Sequence, residues 1–148
     1  MKVETAAVEA ATEALAPQPQ VQGARKAPAR TTIFVPGDAA ALALGADAVA
    51  AAIAAEAAQR GIAIRLVRNG SRGMVWLEPL LEVATPRGRI AYGPVAAAEV
   101  PGLFAAGLLT GGAHALCLGP TEEIPWLARQ RRLACRRIGV VDPRSLAD

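Results

Sequence analysis

Two β-type runs joined by a long helix-forming stretch constrain this fold more than any other feature of the sequence. Residues 31–35 form the first run, and residues 62–67 form a second one rich in β-branched and aliphatic side chains. The stretch between them, residues 38–60, has high helix propensity, with Asp38 at its N-cap and Gly61 as a C-terminal stop. Three aliphatic residues at helical spacing are predicted to form its buried face: Leu42, Val49 and Ile53. A connection of this length implies two parallel strands and a right-handed crossover, so a β-α-β unit is predicted.

Beyond the second run, the pattern changes to a hairpin followed by a helix. Residues 80–84 and 89–92 place apolar side chains at every second position around a turn of hairpin length, which predicts an antiparallel pair. Residues 100–109 then form a helix with Pro101 in its first turn, where proline is tolerated. The short apolar run at residues 113–118 is either a last strand or a packed extended segment. This order predicts an α/β fold, with a four-stranded mixed sheet and helices packed on it.

The last part of the chain is rich in arginine. Glu122 and Glu123 stand where acidic residues favour a helix start, and the helix is predicted to run to about residue 138. Three apolar residues would form its buried side: Leu127, Leu133 and Ile138. Five arginines occupy much of the rest: Arg129, Arg131, Arg132, Arg136 and Arg137. Such a face is either simply solvated or a docking surface for an acidic partner subunit.

Composition limits both the core and the choice of partners. Apolar residues make up 53% of the chain, but many are alanine and aromatic residues are only 3%, so a few Leu, Ile and Val side chains must form the core. The net charge of +3 is too small to indicate nucleic-acid binding, and no aromatic stacking platform accompanies the arginines. No uncharged apolar run reaches the roughly 20 residues that a membrane span needs. We therefore expect a cytoplasmic protein that binds neither membrane nor nucleic acid. Residues 1–30 are expected to be a disordered arm, with at most a frayed helix over residues 4–15.

Neither the cysteines nor the single histidine forms a recognisable reaction site. Cys117 and Cys135 are far apart in the sequence and belong to no Cys/His cluster, whereas closed metal sites use about four protein ligands. We expect two reduced thiols, Cys117 as a small buried hydrophobic residue and Cys135 as an inert thiol on the apolar side of the last helix. His114 has no nucleophile or carboxylate at a defined spacing. A thiol oxidoreductase on this scaffold would need a cysteine where the first strand meets the first helix, and residues 36–38 contain none.

A glycine-rich loop, residues 68–81, connects the two halves of the predicted fold. Its segment 70–73, Gly-Ser-Arg-Gly, allows the backbone to turn sharply and expose its amides. The segment is either an anion-binding nest with Arg68 and Arg72 as clamps or a vestigial loop packed against a neighbouring subunit. Trp76 in the same loop is either an interface anchor or a side chain packed in the core or loop.

Several segments of the sequence resemble those of one family of electron-transfer proteins. Residues 67–73, 78–80 and 88–95 are similar to the thioredoxin-like ferredoxin domain that accompanies the flavoprotein subunit of complex I and related diaphorases. Residues 124–126 and 137–143, with Gln130 and Arg132 between them, resemble the first segment of that flavoprotein.

From residue 31 to residue 148, the chain thus resembles the N-terminal part of the β (diaphorase) subunits of molybdenum-containing, NAD-dependent formate dehydrogenases. The resemblance implies a thioredoxin-like β-α-β-β-β-α domain at residues 31–119. Residues 120–148 would be a linker helix and the start of a flavoprotein domain, cut short here.

The resemblance has two implications for cofactors. In the family, cysteines of the glycine-rich loop hold a [2Fe–2S] cluster, and here that loop has no cysteine, so the domain should carry no cluster. The FMN, NAD and [4Fe–4S] of the full-length subunit are bound by motifs that lie further along in the family. No catalytic, cofactor-binding or metal-binding residue can therefore be assigned within this chain.

The function that the resemblance implies is a non-catalytic docking domain in a subunit that passes electrons from iron–sulfur centres through FMN to NAD. Its partners would be the ferredoxin-like γ subunit and the molybdenum-bearing α subunit. Two alternatives remain: the corresponding segment of an NAD-reducing hydrogenase or complex I-like flavoprotein, and a free-standing basic adaptor that binds acidic protein or RNA. The expected interface residues are arginines and tryptophans: Arg68, Arg72, Trp76, Trp126, Arg129, Arg131 and Arg132.

Overall fold

A five-stranded mixed sheet organises the structure, a computed structural model that describes residues 30–145. Its strands are β1 Thr31–Phe34, β2 Ile64–Val67, β3 Leu81–Thr85, β4 Gly88–Tyr92 and β5 Cys117–Pro120. They lie in the order β2-β1-β3-β4-β5, with β1 and β2 parallel and the other neighbouring pairs antiparallel. The predicted parallel pair and hairpin are confirmed. The last two residues of the apolar run at residues 113–118 belong to a fifth strand, which is one of the two interpretations left open, so the sheet is larger than the four strands predicted.

The helices are shorter than the sequence pattern predicts. They are α1 Ala39–Ala43, α2 Ala46–Gln59, α3 Val100–Ala105 and α4 Pro125–Ala128. The single helix predicted over residues 38–60 is divided in two because Gly45 takes a left-handed conformation, with φ of 95°. The division leaves Leu42, predicted on the buried face, 41% exposed. Asp38 does cap α1, since its Oδ1 accepts bonds from the Ala40 and Ala41 amides at 3.1 and 3.4 Å.

The main core lies between one face of the sheet and the helices α2 and α3. The sheet contributes Ile33, Leu81, Val83, Ile90 and Tyr92, and the helices contribute Val49, Ile53, Leu103 and Phe104. Tyr92 is buried, and its hydroxyl donates a bond to the Gly112 carbonyl at 2.8 Å. Burial, with a smaller effect of Cys117, raises the pKa of Tyr92 to about 12. Tyr92 is therefore a neutral structural donor. Cys117 is partly buried against the same core, close to its predicted role.

The opposite face of the sheet, called here the second face, carries charge. Phe34 and Glu82 are register partners on β1 and β3, and the Arg89 guanidinium lies 3.5 Å from the centre of the Phe34 ring. A smaller second core adjoins this face and consists of Met74, Leu80, Ala91, Ile124 and Leu127. Because α4 and the residue before it contribute to this core, packing continues across the domain boundary expected at residue 119.

The predicted helix from residue 121 to about residue 138 is wrong in extent. A 3₁₀ turn at Thr121–Glu123 precedes the four-residue α4, and residues 130–141, called here the C-terminal strap, follow as turns and irregular backbone. Leu133, predicted on a buried side, is 90% exposed, and Cys135 is exposed as well. The segment therefore has no apolar stripe that could hold a long helix against the sheet.

Hydrogen bonds from arginine side chains order the strap instead. Arg132 donates to the Arg72 carbonyl at 2.7 Å and to the Ile138 carbonyl at 3.4 Å. Its Nε also donates to the Gln130 side chain at 2.7 Å. Because Arg132 donates to backbone carbonyls, its guanidinium stabilises the turns of the strap and is not part of a solvated helix face.

Two expectations concern N-terminal residues that the structure does not describe. The arm at residues 1–30 falls, except for Arg30, outside the described residues, as does the frayed helix over residues 4–15.

Among residues 30–145, no helix combines the length and hydrophobicity that crossing a membrane requires.

Candidate functional site

The glycine-rich loop lies at the end of the sheet where β1 and β2 finish and β3 begins. Because β1 and β2 are parallel, their carboxyl ends meet there. Asp38 follows β1 and Ser71 follows β2, and the Asp38 Oδ2 accepts a bond from the Ser71 amide at 2.7 Å. The other oxygen of Asp38 caps α1. One carboxylate therefore joins the first helix to the loop.

Three amides of the loop, those of Ser71, Gly73 and Leu80, donate to side chains of the same chain. Gly73 donates its amide to Ser71 Oγ at 3.0 Å, and the Ser71 hydroxyl donates to Glu78 Oε1 at 2.7 Å. The other Glu78 oxygen accepts a bond from the Leu80 amide at 2.9 Å. Burial raises the pKa of the Glu78 carboxyl, although these two bonds act to lower it. These contacts within the chain disfavour the open anion nest, and the alternative interpretation, a vestigial loop packed against a neighbouring subunit, stays a prediction.

Arg72 points into the protein and is 5% exposed. Its Nε and Nη2 donate to both oxygens of Glu82, at 2.8 and 2.9 Å, and its Nη1 donates to Glu122 at 2.9 Å. Desolvation alone would lower the pKa of Arg72, but the two carboxylates outweigh it and raise the pKa, so the guanidinium stays charged. This corrects the expectation that Arg72 is a clamp or interface residue. Its charge is already bound within the chain, and its side chain is buried.

Two other expected interface arginines also bind within the chain. Arg68 is mostly buried and donates to the carbonyls of Val35 and Pro36 at 3.2 and 3.0 Å. Its third nitrogen, Nη1, pairs with Asp47 at 2.7 Å. Arg132 holds the strap, as described above. Arg68 thus stabilises the junction between β1 and α1, and these arginines have structural partners that the sequence pattern does not reveal.

The two tryptophans meet at the surface, although fifty positions separate them in the sequence. Trp76, in a 3₁₀ turn at Val75–Leu77, and Trp126, in α4, pack edge to face with ring centres 5.5 Å apart and an angle of 84°. Trp76 is 59% exposed, Trp126 is 52% exposed and the neighbouring Val75 is 52% exposed. These three residues are called here the tryptophan patch. Exposure removes the core interpretation of Trp76, and its role as an interface anchor stays a prediction.

Arg129 and Arg131 follow the patch closely in the sequence and are exposed. Arg129 is the C-cap of α4 and comes three positions after Trp126, so the two lie on the same side of that helical turn. Of the seven expected interface residues, the structure therefore leaves four at the surface: Trp76, Trp126, Arg129 and Arg131.

Sequence reasoning missed the residues that fasten the strap to the second face. The Gly139 carbonyl accepts bonds from the Asn69 side-chain amide at 2.9 Å and from Arg89 at 2.8 Å. Arg89 also donates to the Val140 carbonyl at 2.9 Å and pairs with Glu82 at 3.3 Å. One signal was present in the sequence. Glu82 and Arg89 alternate with the core residues of β3 and β4, so both side chains are predicted on the other face of the sheet, where opposite charges on neighbouring strands can pair.

The residues of the glycine-rich loop do not fit an iron–sulfur cluster. A [2Fe–2S] cluster is held by four thiolates, or by two thiolates and two histidines, whereas the whole chain contains two cysteines and one histidine. Cys117 begins β5, and Cys135 lies in the strap. Within residues 30–145, no group of three or more His, Cys, Asp or Glu residues is placed to hold a metal ion. The Arg72–Glu82 ion pair occupies the interior beneath the loop.

Comparisons with known proteins bear on the fold. No protein-family model matches the sequence, and no curated protein matches it. Among solved structures, the chain is similar to the wild-type thioredoxin-like [2Fe-2S] ferredoxin from Aquifex aeolicus, with a TM-score of 0.50 and 19% sequence identity. The match covers 61% of this chain and 97% of that chain. At this identity the likeness shows the fold, which is thioredoxin-like as predicted.

Proposed function

We propose that this chain is a thioredoxin-like docking domain without a cluster, at the N-terminal end of the NAD-linked diaphorase subunit of a formate dehydrogenase. The observation that carries the cluster-free part of the proposal is the set of internal contacts in the glycine-rich loop. The assignment to a diaphorase subunit rests on the resemblance of residues 124–126 and 137–143 to the flavoprotein. The ferredoxin domains that this chain resembles have cysteines in this loop. Here the Asp38 carboxylate binds the Ser71 amide, and the buried Arg72–Glu82 ion pair lies beneath the loop. Ion pairs can order such a loop without metal, so the fold can serve as a scaffold.

In the proposed arrangement, the chain performs no redox step. The FMN, NAD and [4Fe–4S] sites would belong to the remainder of the subunit. The domain would pack against the flavin domain and against the ferredoxin-like γ and molybdenum-bearing α subunits in the cytoplasm. Its contribution would be to fix the distances between neighbouring electron carriers.

Recovery of the assembly tests the proposal. The chain is tagged in its native cells, the complex is isolated without oxygen, and NAD reduction is measured with formate and separately with hydrogen. We expect formate-dependent NAD reduction to be recovered with the tagged chain. Hydrogen-dependent reduction would favour the hydrogenase alternative, and recovery of neither activity would contradict both.

Metal analysis tests the cluster-free part of the proposal. The chain is produced in cells supplied with iron and purified without oxygen. We expect far less than one iron and one sulfide per chain, and no visible charge-transfer absorbance. Stoichiometric iron and sulfide with such absorbance would overturn this part.

One observation favours the adaptor alternative: Arg129, Arg131 and Arg136 are exposed. A polyanion-binding adaptor predicts that affinity falls steeply with salt. Measuring the binding of the purified chain to single-stranded RNA at two salt concentrations distinguishes this alternative from the docking domain, for which we expect no such binding at physiological salt.

A further inference from the structure

The tryptophan patch is an apolar surface on a rigid support. Beneath it, the second core packs Met74, Leu80, Ile124 and Leu127, each 7% exposed or less. Each tryptophan is adjacent in sequence to residues of this core or its partly buried neighbour Leu77. The edge-to-face contact of the rings fixes their relative orientation. An anchor held in place before binding loses little conformational freedom when a partner binds.

The charge beside the patch is mostly positive. Residues 122–137 contain two glutamates and five arginines. Glu122 is engaged by Arg72, which leaves Glu123 as the acid next to the patch. Arg129 and Arg131 follow Trp126 in the sequence and are exposed. Aromatic residues and arginine are the residue types enriched at protein interfaces and their hot spots.

We propose that the tryptophan patch, with Arg129 and Arg131 at its rim, is the surface through which this chain docks on an acidic protein partner. This inference deepens the proposed function and rests on it, since it says which side of the domain meets a neighbouring subunit. The occupant is a protein surface with an apolar socket for the two indoles and carboxylates around it. In a symmetric contact between two copies, the patch meets itself, and each copy brings the same excess of arginine over glutamate to the interface. Like charges placed together in this way oppose a self-dimer and favour an acidic partner.

The test compares variants of the tagged chain for retention of the formate-oxidising, NAD-reducing assembly. The Trp76→Ala/Trp126→Ala variant removes both indoles. Its control is Leu42→Ala/Leu44→Ala, which removes two side chains of similar exposure, 41% and 48%, that lie in and just after α1. We expect the tryptophan variant to lower the recovered activity roughly tenfold or more, and the leucine variant to leave it unchanged. Circular dichroism of each purified chain checks that both variants are folded.

A charge-reversal pair tests the rim. Arg129→Glu/Arg131→Glu is compared with Arg30→Glu/Arg87→Glu, which changes the net charge equally at two exposed arginines elsewhere. We expect the first variant to weaken retention and to remove its dependence on salt, whereas the second has little effect. Equal effects of the two variants would show a general charge effect and overturn the role assigned to the rim.

The remaining outcomes separate this inference from the proposed function. If the unaltered chain recovers no such assembly, the proposed function fails and this inference fails with it. If it recovers the assembly and the tryptophan variant does so equally well, only the docking surface is wrong. Loss of retention after nuclease treatment would identify RNA as the occupant, and a tryptophan-dependent dimer in sedimentation would identify a second copy. Both results would overturn the inference.

Fluorescence tests occupation of the patch by the chain's own N-terminal residues. The chain has two tryptophans, both in the patch, so its emission reports this surface alone. We expect iodide to quench the isolated full chain as strongly as a chain without residues 1–29. Stronger quenching in the shortened chain would show that those residues cover the patch, which would overturn the inference.

Discussion

Arg72 is the buried cation beneath the glycine-rich loop and binds two carboxylates there. Taking two charges out of water costs several kcal/mol per ion, and only good geometry with further hydrogen bonds offsets that cost. Here the guanidinium is bidentate to Glu82 and also bonded to Glu122. Arg89 gives Glu82 a second cation. Composition suggests that an arginine will be at the surface, but this one is buried because the neighbouring strand supplies its carboxylate.

Glu78 gives a pH prediction at the same scale. Its folded-state pKa is raised above 4.5, chiefly by burial, with smaller contributions from Asp38 and Glu82. The folded protein then holds this proton more tightly than the unfolded chain does. The free energy of unfolding should fall as pH rises from about 4.5 through the folded-state pKa, and this loss is complete above it.

Glu78→Gln should remove that contribution and keep both contacts: the amide oxygen can accept from the Leu80 amide, and the NH2 can donate to the Ser71 hydroxyl, which reverses the direction of that bond. Urea unfolding of both proteins between pH 4 and pH 8 gives the measurement. We expect the difference between the variant and the unaltered chain to grow in favour of the variant as pH rises. The exposed Glu123→Gln is the control, and a pH-independent difference for Glu78→Gln would contradict the assigned pKa direction.

At the scale of elements, the C-terminal strap is held by side-chain bonds to its backbone. Gly139 lies where Asn69 and Arg89 converge, and its φ of 80° is left-handed. A Cβ added there would lie 2.9 Å from the Cγ, Cδ and Nε of Arg72. A glycine is therefore needed both for its backbone conformation and for its lack of a side chain.

We expect Gly139→Ala to release the strap. The left-handed conformation alone costs about 1–2 kcal/mol for a residue with a Cβ, and the contact with Arg72 adds to this. Trypsin should then cleave faster at the strap arginines, and mass spectrometry locates the cuts. The control is Gly61→Ala, which has φ of 64° but open space around the added Cβ. Equal cleavage rates at the strap arginines in the two variants would show that Gly139→Ala does not release the strap.

At the scale of the whole molecule, the two faces of the sheet are covered in different ways. The first face packs α2 and α3 in the main core. Beside the second face lie α4 and the strap, through the second core and the bonds from Asn69 and Arg89. The segment after residue 119 is thus part of the packed fold, so the folded unit extends further than the element pattern alone indicates.

Shortening the chain tests that extent. A chain ending at Ala128 keeps Ile124 and Leu127, whereas one ending at Pro120 exposes Met74 and Leu80. Burying each lost side chain contributes about 1.5–3 kcal/mol, so the shorter chain should be less stable than the longer one by roughly 3–6 kcal/mol. Urea unfolding measures the difference. If the two chains are equally stable, the second core contributes nothing and the boundary belongs near residue 119.

Local sequence patterns were enough to predict the framework. The β-type runs, the crossover of sufficient length and the hairpin turn led to the parallel pair, the antiparallel pair and a mixed sheet, and the family resemblance added the thioredoxin-like arrangement. Asp38 was recognised as a helix cap from its position alone. These features depend on residues a few positions apart, whose side-chain spacing and backbone preferences are visible in the sequence.

Only the tertiary structure decided what the polar and aromatic side chains do. Arginine is compatible with a solvated helix, a docking face or a buried ion pair, and the choice depends on partners such as Glu82 or the Gly139 carbonyl that come close only in the folded chain. Trp76 and Trp126 likewise become one surface only when α4 packs on the second core. Elements follow from short-range periodicity, whereas the surfaces and buried charges of this protein follow from contacts between distant parts of the chain.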